Sequence, residues 1–153
     1  MVKVYFRVRY VIVGTHRDAW ASGAVDPSSA LAAVMAAAES MARAATDGRW
    51  RPRRSVAFVA WGAEEMGLIG STEWVEEKLP KLRSRAVAYI NSDMCVSGAD
   101  LAATASGPLK EIIVDALKDI KDPDDWERSM YDKWKEGGGR GGIGSGPFYQ
   151  VWI

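Results

Sequence analysis

Two adjacent glutamates, Glu64 and Glu65, follow the apolar, β-branched run Ser55 to Trp61 after a Gly62-Ala63 turn. Charge at the end of a strand fit for burial points to chemistry. Three further polar residues interrupt apolar segments in the same way: His16 after Tyr10 to Thr15, Asp26 before Pro27, and Asp93 after Ala86 to Asn91. One imidazole among several carboxylates is a donor set for zinc with an open position, with manganese or cobalt as substitutes; an all-oxygen set would favour magnesium or calcium. His16, Asp26, Glu65 and Asp93 are therefore candidate metal ligands. Two neighbouring glutamates can divide the labour, one bound to metal and the other free to take a proton from a water that the metal activates. Asp26 suits a bridge between two ions, since it stands alone on a loop fixed by Pro27, and its bond to Pro27 is of the kind with appreciable cis content. The competing reading makes these acids helix caps or solvated loop residues.

Such residues meet only if the chain brings the strand ends together. Val2 to Thr15 reads as one or two strands, with Tyr10 to Val13 fit for burial on both faces. A loop from His16 to Pro27 leads to a helix that Ser28 or Ser29 can cap, with Leu31, Val34, Met35, Ala38, Met41 and Ala45 at helical spacing and an end near Asp47-Gly48. Ser55 to Trp61 is the second strand, and Ser71 to Leu79 a short helix closed by Pro80, with Gly67 and Gly70 permitting the turn between them. Ala86 to Asn91 is the third strand and Leu101 to Ala105 a weaker one. Leu109, Ile112, Ile113, Ala116, Leu117 and Ile120 mark a helix after Pro108. Alternating strand and helix predict an α/β fold with a parallel sheet, and in such sheets ligands collect beyond the carboxyl ends of the strands, where His16, Glu64, Glu65 and Asp93 stand.

Bulk composition narrows the classes. The chain has 153 residues, enough for one domain with a real core. Lysine plus arginine equals aspartate plus glutamate at 20 each, so no net field recruits nucleic acid or an anionic membrane. No run approaches the ~20 apolar residues of a membrane span. The single cysteine, Cys95, excludes an intrachain disulfide, and it reads as a small hydrophobe rather than a thiol nucleophile paired with His16. Arg49, Arg51, Arg53 and Arg54 read as a solvated connection, and the segment 136–147 as a glycine-rich loop. Trp61 and Trp74 are expected in the core, and Trp126 and Trp134 on a peripheral helix.

The stretches Tyr10 to Trp20, Gly23 to Ser29, Trp50 to Ser55, Trp61 to Trp74 and Val87 to Asp93 resemble the two-zinc exopeptidases of the peptidase M28 type. Within them they are most similar to the branch of glutamate carboxypeptidase II and the N-acetylated alpha-linked acidic dipeptidase-like proteins. The resemblance covers about residues 9 to 135. It implies a three-layer sandwich with a mostly parallel central sheet flanked by helices, here a partial catalytic domain over residues 1–153, incomplete at its C-terminus. It implies further that His16 and Asp93 ligate one zinc, Glu65 the other, that Asp26 bridges them, and that Glu64 is the general base. By the same resemblance Gly67 and Leu68 line the pocket for the C-terminal side chain, and Glu73 and Glu76 correspond to two ligands of a structural calcium whose other ligands lie upstream in the family. The family's second zinc takes another histidine from a later segment, whereas this chain has His16 alone. The expectation is thus one three-ligand ion, a weakly held second ion, and weak or absent turnover by this chain. Substrates by resemblance are peptides or dipeptides losing a C-terminal, often acidic, residue. The relatives are commonly membrane-anchored with the catalytic domain outside the cell and homodimeric through domains absent here. The alternative from the same fold is a non-catalytic, transferrin-receptor-like binding module.

Overall fold

The computed structural model describes residues 9–96, 101–136 and 149–152. The expected strand before Arg9 and the glycine-rich loop lie outside the described residues. The chain divides into two compact units, one up to Ser97 and one over Gly98–Trp152.

In the first unit β1 (Tyr10–His16) lies between β2 (Ser55–Trp61) and β3 (Ala86–Ser92), and both pairings are parallel. Tyr10 pairs with Ser55 and His16 with Trp61 without a break, while the β1–β3 register shifts between Tyr10 and Val11. The central place of β1 explains its continuous apolar run, because a strand flanked on both edges and covered by helices has no solvent face to satisfy. Its residues Ile12 and Thr15 are buried.

Helix α1 (Ser28–Thr46) packs across all three strands, burying Ala30 and Val34, and α2 (Ile69–Arg85) packs on β3. Neither serine caps α1. Pro27 occupies the cap position without a side-chain hydrogen bond, and the Ser29 hydroxyl instead donates to the Val25 carbonyl (2.5 Å) and accepts from the Cys95 amide (3.0 Å). That hydroxyl ties the loop before α1 to the loop after β3. Helix α2 is also longer than expected: it begins at Ile69 and continues through Pro80 to Arg85. Pro80 removes one amide from the ladder, yet the Ser84 hydroxyl approaches the carbonyls of Pro80 (3.3 Å) and Lys81 (3.2 Å), so the turn beyond the proline remains bonded.

In the second unit β4 (Thr104–Ala105) pairs in parallel with β5 (Tyr149–Trp152). A 3-10 turn (Gly107–Leu109) leads into α3 (Lys110–Asp119), which packs on α4 (Met130–Glu136), with Ala103, Leu109 and Leu117 buried. The expected strand Leu101 to Ala105 is therefore only two residues long. Trp134 lies on α4 against Tyr131, their ring centroids 5.9 Å apart, but Trp126 sits in a turn and is 74 % exposed. Among the described residues no helix is long and apolar enough to cross a membrane.

One packing constraint bears directly on the strand ends. Gly14 leaves room for Tyr89 to lie over β1: a Cβ there would stand 2.6 Å from Val59 Cγ2 and 2.8 Å from the Tyr89 hydroxyl. The hydroxyl accepts from Trp61 Nε1 (2.8 Å) and donates to Asn91 Oδ1 (2.6 Å), joining β2 to β3 across the central strand. Trp61 also packs on Trp74 of α2, with centroids 5.2 Å apart. Gly14→Ala is expected to destabilise the chain by about 1–3 kcal/mol through overpacking, measured by urea unfolding. Unchanged stability would show that Tyr89 is free to move aside.

Candidate metal centre

Parallel strands end on the same side, so the residues following β1, β2 and β3 converge. His16 closes β1 and is only 3 % exposed. Its Nδ1 lies 2.9 Å from the Asp18 carbonyl oxygen, a group that only accepts, so Nδ1 carries the hydrogen and Nε2 faces the other way. There Nε2 meets Asp93 Oδ1 at 3.0 Å, Asp26 Oδ1 at 3.0 Å and Glu64 Oε2 at 3.8 Å. Asp26 arrives from the loop before α1, its bond to Pro27 cis. Asp93 follows β3 by one residue.

The loop after β2 is built to deliver two glutamates. Ala63 and Leu68 adopt left-handed φ angles of 55° and 61°, and the amides of Gly67 and Leu68 both donate to the Glu64 carbonyl at 2.8 Å. The amide of Gly70 reaches the Gly62 carbonyl at 3.1 Å, and a Cβ on Gly70 would come within 2.3 Å of that oxygen, so only glycine closes this turn. Asp18 fastens the loop from the other side, accepting the Glu64 amide on Oδ1 (3.1 Å) and the Glu65 amide on Oδ2 (3.2 Å). The loops after β1 and β2 are thereby joined through Asp18: its carbonyl orients His16 and its carboxylate holds the backbone of both glutamates.

Electrostatics follow from this crowding. Burial works against a charged His16, but the Asp93 hydrogen bond and the charges of Glu64 and Asp93 outweigh it and raise the imidazole pKa. Burial raises Asp26, with Asp93 and Glu65 adding to it and His16 opposing. Glu64 is raised by burial first, against His16 and with Asp93, Glu65 and Asp26. Burial also works against the Asp18 carboxylate, yet the amides of Glu64 and Glu65 overcome it and hold its pKa below the ordinary range.

Among the described residues, His16, Asp26 and Asp93 form a group of possible ligands whose donor atoms all lie within 4.8 Å of one another. Asp26 Oδ1 is buried and lacks a hydrogen bond: it faces Nε2, which carries no hydrogen in this tautomer of the neutral ring. Three acceptor atoms facing one another, with no hydrogen between them in the neutral ring, fit a bound cation. Glu65 is placed differently, its Oε1 accepting from the Trp20 amide at 3.1 Å. Gly67 and Leu68 form the turn beyond it, Leu68 being 53 % exposed. Glu73 and Glu76 are exposed on α2, and among the described residues they join no group of three or more metal-ligating side chains within mutual reach. Cys95 is a half-buried free thiol 3.6 Å from the Ser92 hydroxyl. Reading the sequence passed over Asp18; the available signal was an aspartate two residues beyond the histidine that ends a strand.

The family model for peptidase family M28 matches residues 6–131. The chain belongs to peptidase family M28. It is similar to a probable glutamate carboxypeptidase of Arabidopsis thaliana, 49 % identical over 126 residues, which are 82 % of this chain and 18 % of that protein. It is similar too to the aminopeptidase NAALADL1 of Mus musculus, 50 % identical over 127 residues, 82 % of this chain and 17 % of that protein. A glutamate carboxypeptidase 2 homolog of Caenorhabditis briggsae is 42 % identical over 131 residues, again 82 % of this chain and 17 % of that protein. The chain thus spans under a fifth of the length of these relatives.

Two expectations follow for the M28 centre. Asp18→Ala leaves His16, Asp26 and Asp93 in the chain but frees the His16 ring and the Glu64–Glu65 backbone, so if these residues hold zinc its affinity should fall about 10–100-fold in a competition titration; an unchanged affinity would deny Asp18 its orienting role. The raised acid groups also set the sign of the pH dependence. His16, Asp26 and Glu64 all hold protons more tightly in the folded chain than in the unfolded one, so the metal-free protein should lose stability as pH rises. The loss begins in the carboxylate range and its histidine part continues as pH rises above about 6.5. Zinc, replacing the His16 proton, should bind more tightly over that same rise. Chemical denaturation from pH 5 to 8, with and without zinc, reads both slopes.

Proposed function

We propose that this chain is the metal-binding core of an M28 exopeptidase that removes a C-terminal residue, often acidic, from peptides or dipeptides. The observation that carries the reading is the meeting of His16 Nε2 with Asp26 and Asp93 oxygens at 3.0 Å each, with the Glu64 carboxylate 3.8 Å from the same nitrogen. The name of one similar protein as a probable glutamate carboxypeptidase favours the carboxyl end, whereas that of another as an aminopeptidase names the opposite end.

His16, Asp26 and Asp93 would hold zinc, and Asp26 with Glu65 would hold a second, weaker ion. Bound there, zinc supplies Lewis acidity, acidifying a water and polarising the scissile carbonyl. Glu64 takes the proton of the attacking water and returns it to the leaving amine. Its raised pKa suits that task, because a base nearer neutrality both accepts and releases a proton readily. Asp18 keeps Glu64 in place through the backbone, and the Asp18 carbonyl keeps the His16 lone pair turned toward the Asp26 and Asp93 oxygens, where it could ligate an ion.

Glu64→Gln keeps size and hydrogen bonding but removes the base. Whatever residual hydrolysis of a dipeptide with a C-terminal glutamate the zinc-loaded chain retains should fall about 10²–10⁴-fold, with zinc affinity kept. Loss of zinc binding along with activity would make Glu64 a ligand and overturn its role as base.

A further inference from the structure

A strand turns the amide and carbonyl of alternate residues to alternate neighbours. In β2 the Trp61 carbonyl accepts from the Arg17 amide at 2.9 Å, and Trp61 stands opposite His16 in the register. Ser55, Ala57, Val59 and Trp61 therefore turn their backbone polar groups to β1, and Val56, Phe58 and Ala60 turn theirs the other way. Among the described residues β2 pairs with β1 alone and is the last strand of its sheet, so the second set of amides and carbonyls lines an open edge.

Open edges are ordinarily blunted by charge, proline, a bulge or short length. β2 has none of these devices. It runs for seven residues without a charged side chain or proline, and its register with β1 is unbroken. Its apolar side chains are also left partly uncovered: no residue of β2 is fully buried, whereas Ile12 of β1 and Ala88 of β3 are. Such an edge is complementary to another strand.

The residues of β2 and its flanks match a second β2. About a two-fold axis at Phe58, two antiparallel copies set Phe58 opposite Phe58 and Val56 opposite Ala60, and every outward amide meets an outward carbonyl. No group of the edge is left over in that register. Charge selects the same direction, since Arg51, Arg53 and Arg54 precede β2 and Glu64 and Glu65 follow it. Antiparallel pairing sets the basic end of each strand beside the acidic end of the other, whereas parallel pairing would set like charges together. Because the axis is two-fold, the pair uses the β2 edge of both copies and closes.

We propose that the β2 edge is a docking surface for a second copy of this chain, the two β2 strands pairing antiparallel about Phe58 into one continuous sheet. The pairing follows from the sheet and its flanking charges and stands apart from the exopeptidase reading. An interface made chiefly of strand edges is smaller than that of a permanent dimer, so the association is weak, with a dissociation constant of about 10–1,000 µM.

The test is amide hydrogen exchange of the full chain over about 10 µM to 1 mM, with sedimentation equilibrium over the same range. Ala57 and Val59 face β1, and their amides should be protected at every concentration. The amides of Val56, Phe58 and Ala60 should exchange openly when dilute and gain about tenfold or more in protection as the dimer forms. Ala60→Pro removes one outward donor and should weaken the dimer about tenfold or more. Arg51→Glu sets acid beside acid and should weaken it about threefold or more. In both variants continued protection of Ala57 and Val59 shows that the fold is kept; if Ala60→Pro unfolds, Arg51→Glu and the wild-type exchange pattern still decide. A chain that is monomeric throughout overturns the proposal, as does a dimer in which Val56, Phe58 and Ala60 gain no protection. Protection of those three amides in the dilute monomer means that the edge is covered from within the chain and likewise overturns it. An Arg51→Glu dimer as tight as wild type overturns the antiparallel direction.

Discussion

The structure turns on the lone pair of His16 Nε2. Because Nδ1 is committed to the Asp18 carbonyl, a neutral ring presents Nε2 to two carboxylate oxygens 3.0 Å away. Acceptors facing one another repel, and in a half-buried site water screens them poorly. Two species relieve the conflict: a proton on Nε2 or a metal ion between the three atoms. The raised His16 pKa reflects the first; on the reading proposed above, zinc would be the second and would displace that proton.

The rest of the first unit keeps that conflict from relaxing. Three parallel strands fix where the loops begin, with β1 in the middle and His16 at its end. The Trp61–Tyr89–Asn91 hydrogen bonds hold the outer strands in line across Gly14, and the Ser29 hydroxyl joins the loops that carry Asp26 and Asp93. Asp18 links the remaining two loops. Left free, the carboxylates would turn toward water; held by these contacts, they stay aimed at one point. Preorganisation of this kind is what a metal site requires.

Much of this was legible in the sequence, and for identifiable reasons. The strands Ser55–Trp61 and Ala86–Ser92 stand out because parallel strands covered by helices carry mostly apolar runs, and the acids that follow them are conspicuous. Asp26 was legible through Pro27. Helix ends were less so: the Ser28–Ser29 pair looks like a cap, yet Ser29 serves a tertiary hydrogen bond, and Pro80 looks like a stop, yet α2 passes it. Both errors arise where contacts distant in sequence override local preference. Asp18 was invisible for the same reason, since its partners are 46 and 47 residues away and loop aspartates are common. The placement of Glu65 against the Trp20 amide, 45 residues off, likewise has no local signature.

Zinc K-edge X-ray absorption on the 153-residue chain loaded with one equivalent of zinc tests the centre most directly. The account predicts a first shell of nitrogen and oxygen only, at about 2.0–2.2 Å, with scattering from a single imidazole that disappears in His16→Ala. A sulfur scatterer at about 2.3 Å, which would bring in Cys95, or a spectrum unchanged by His16→Ala, would contradict it.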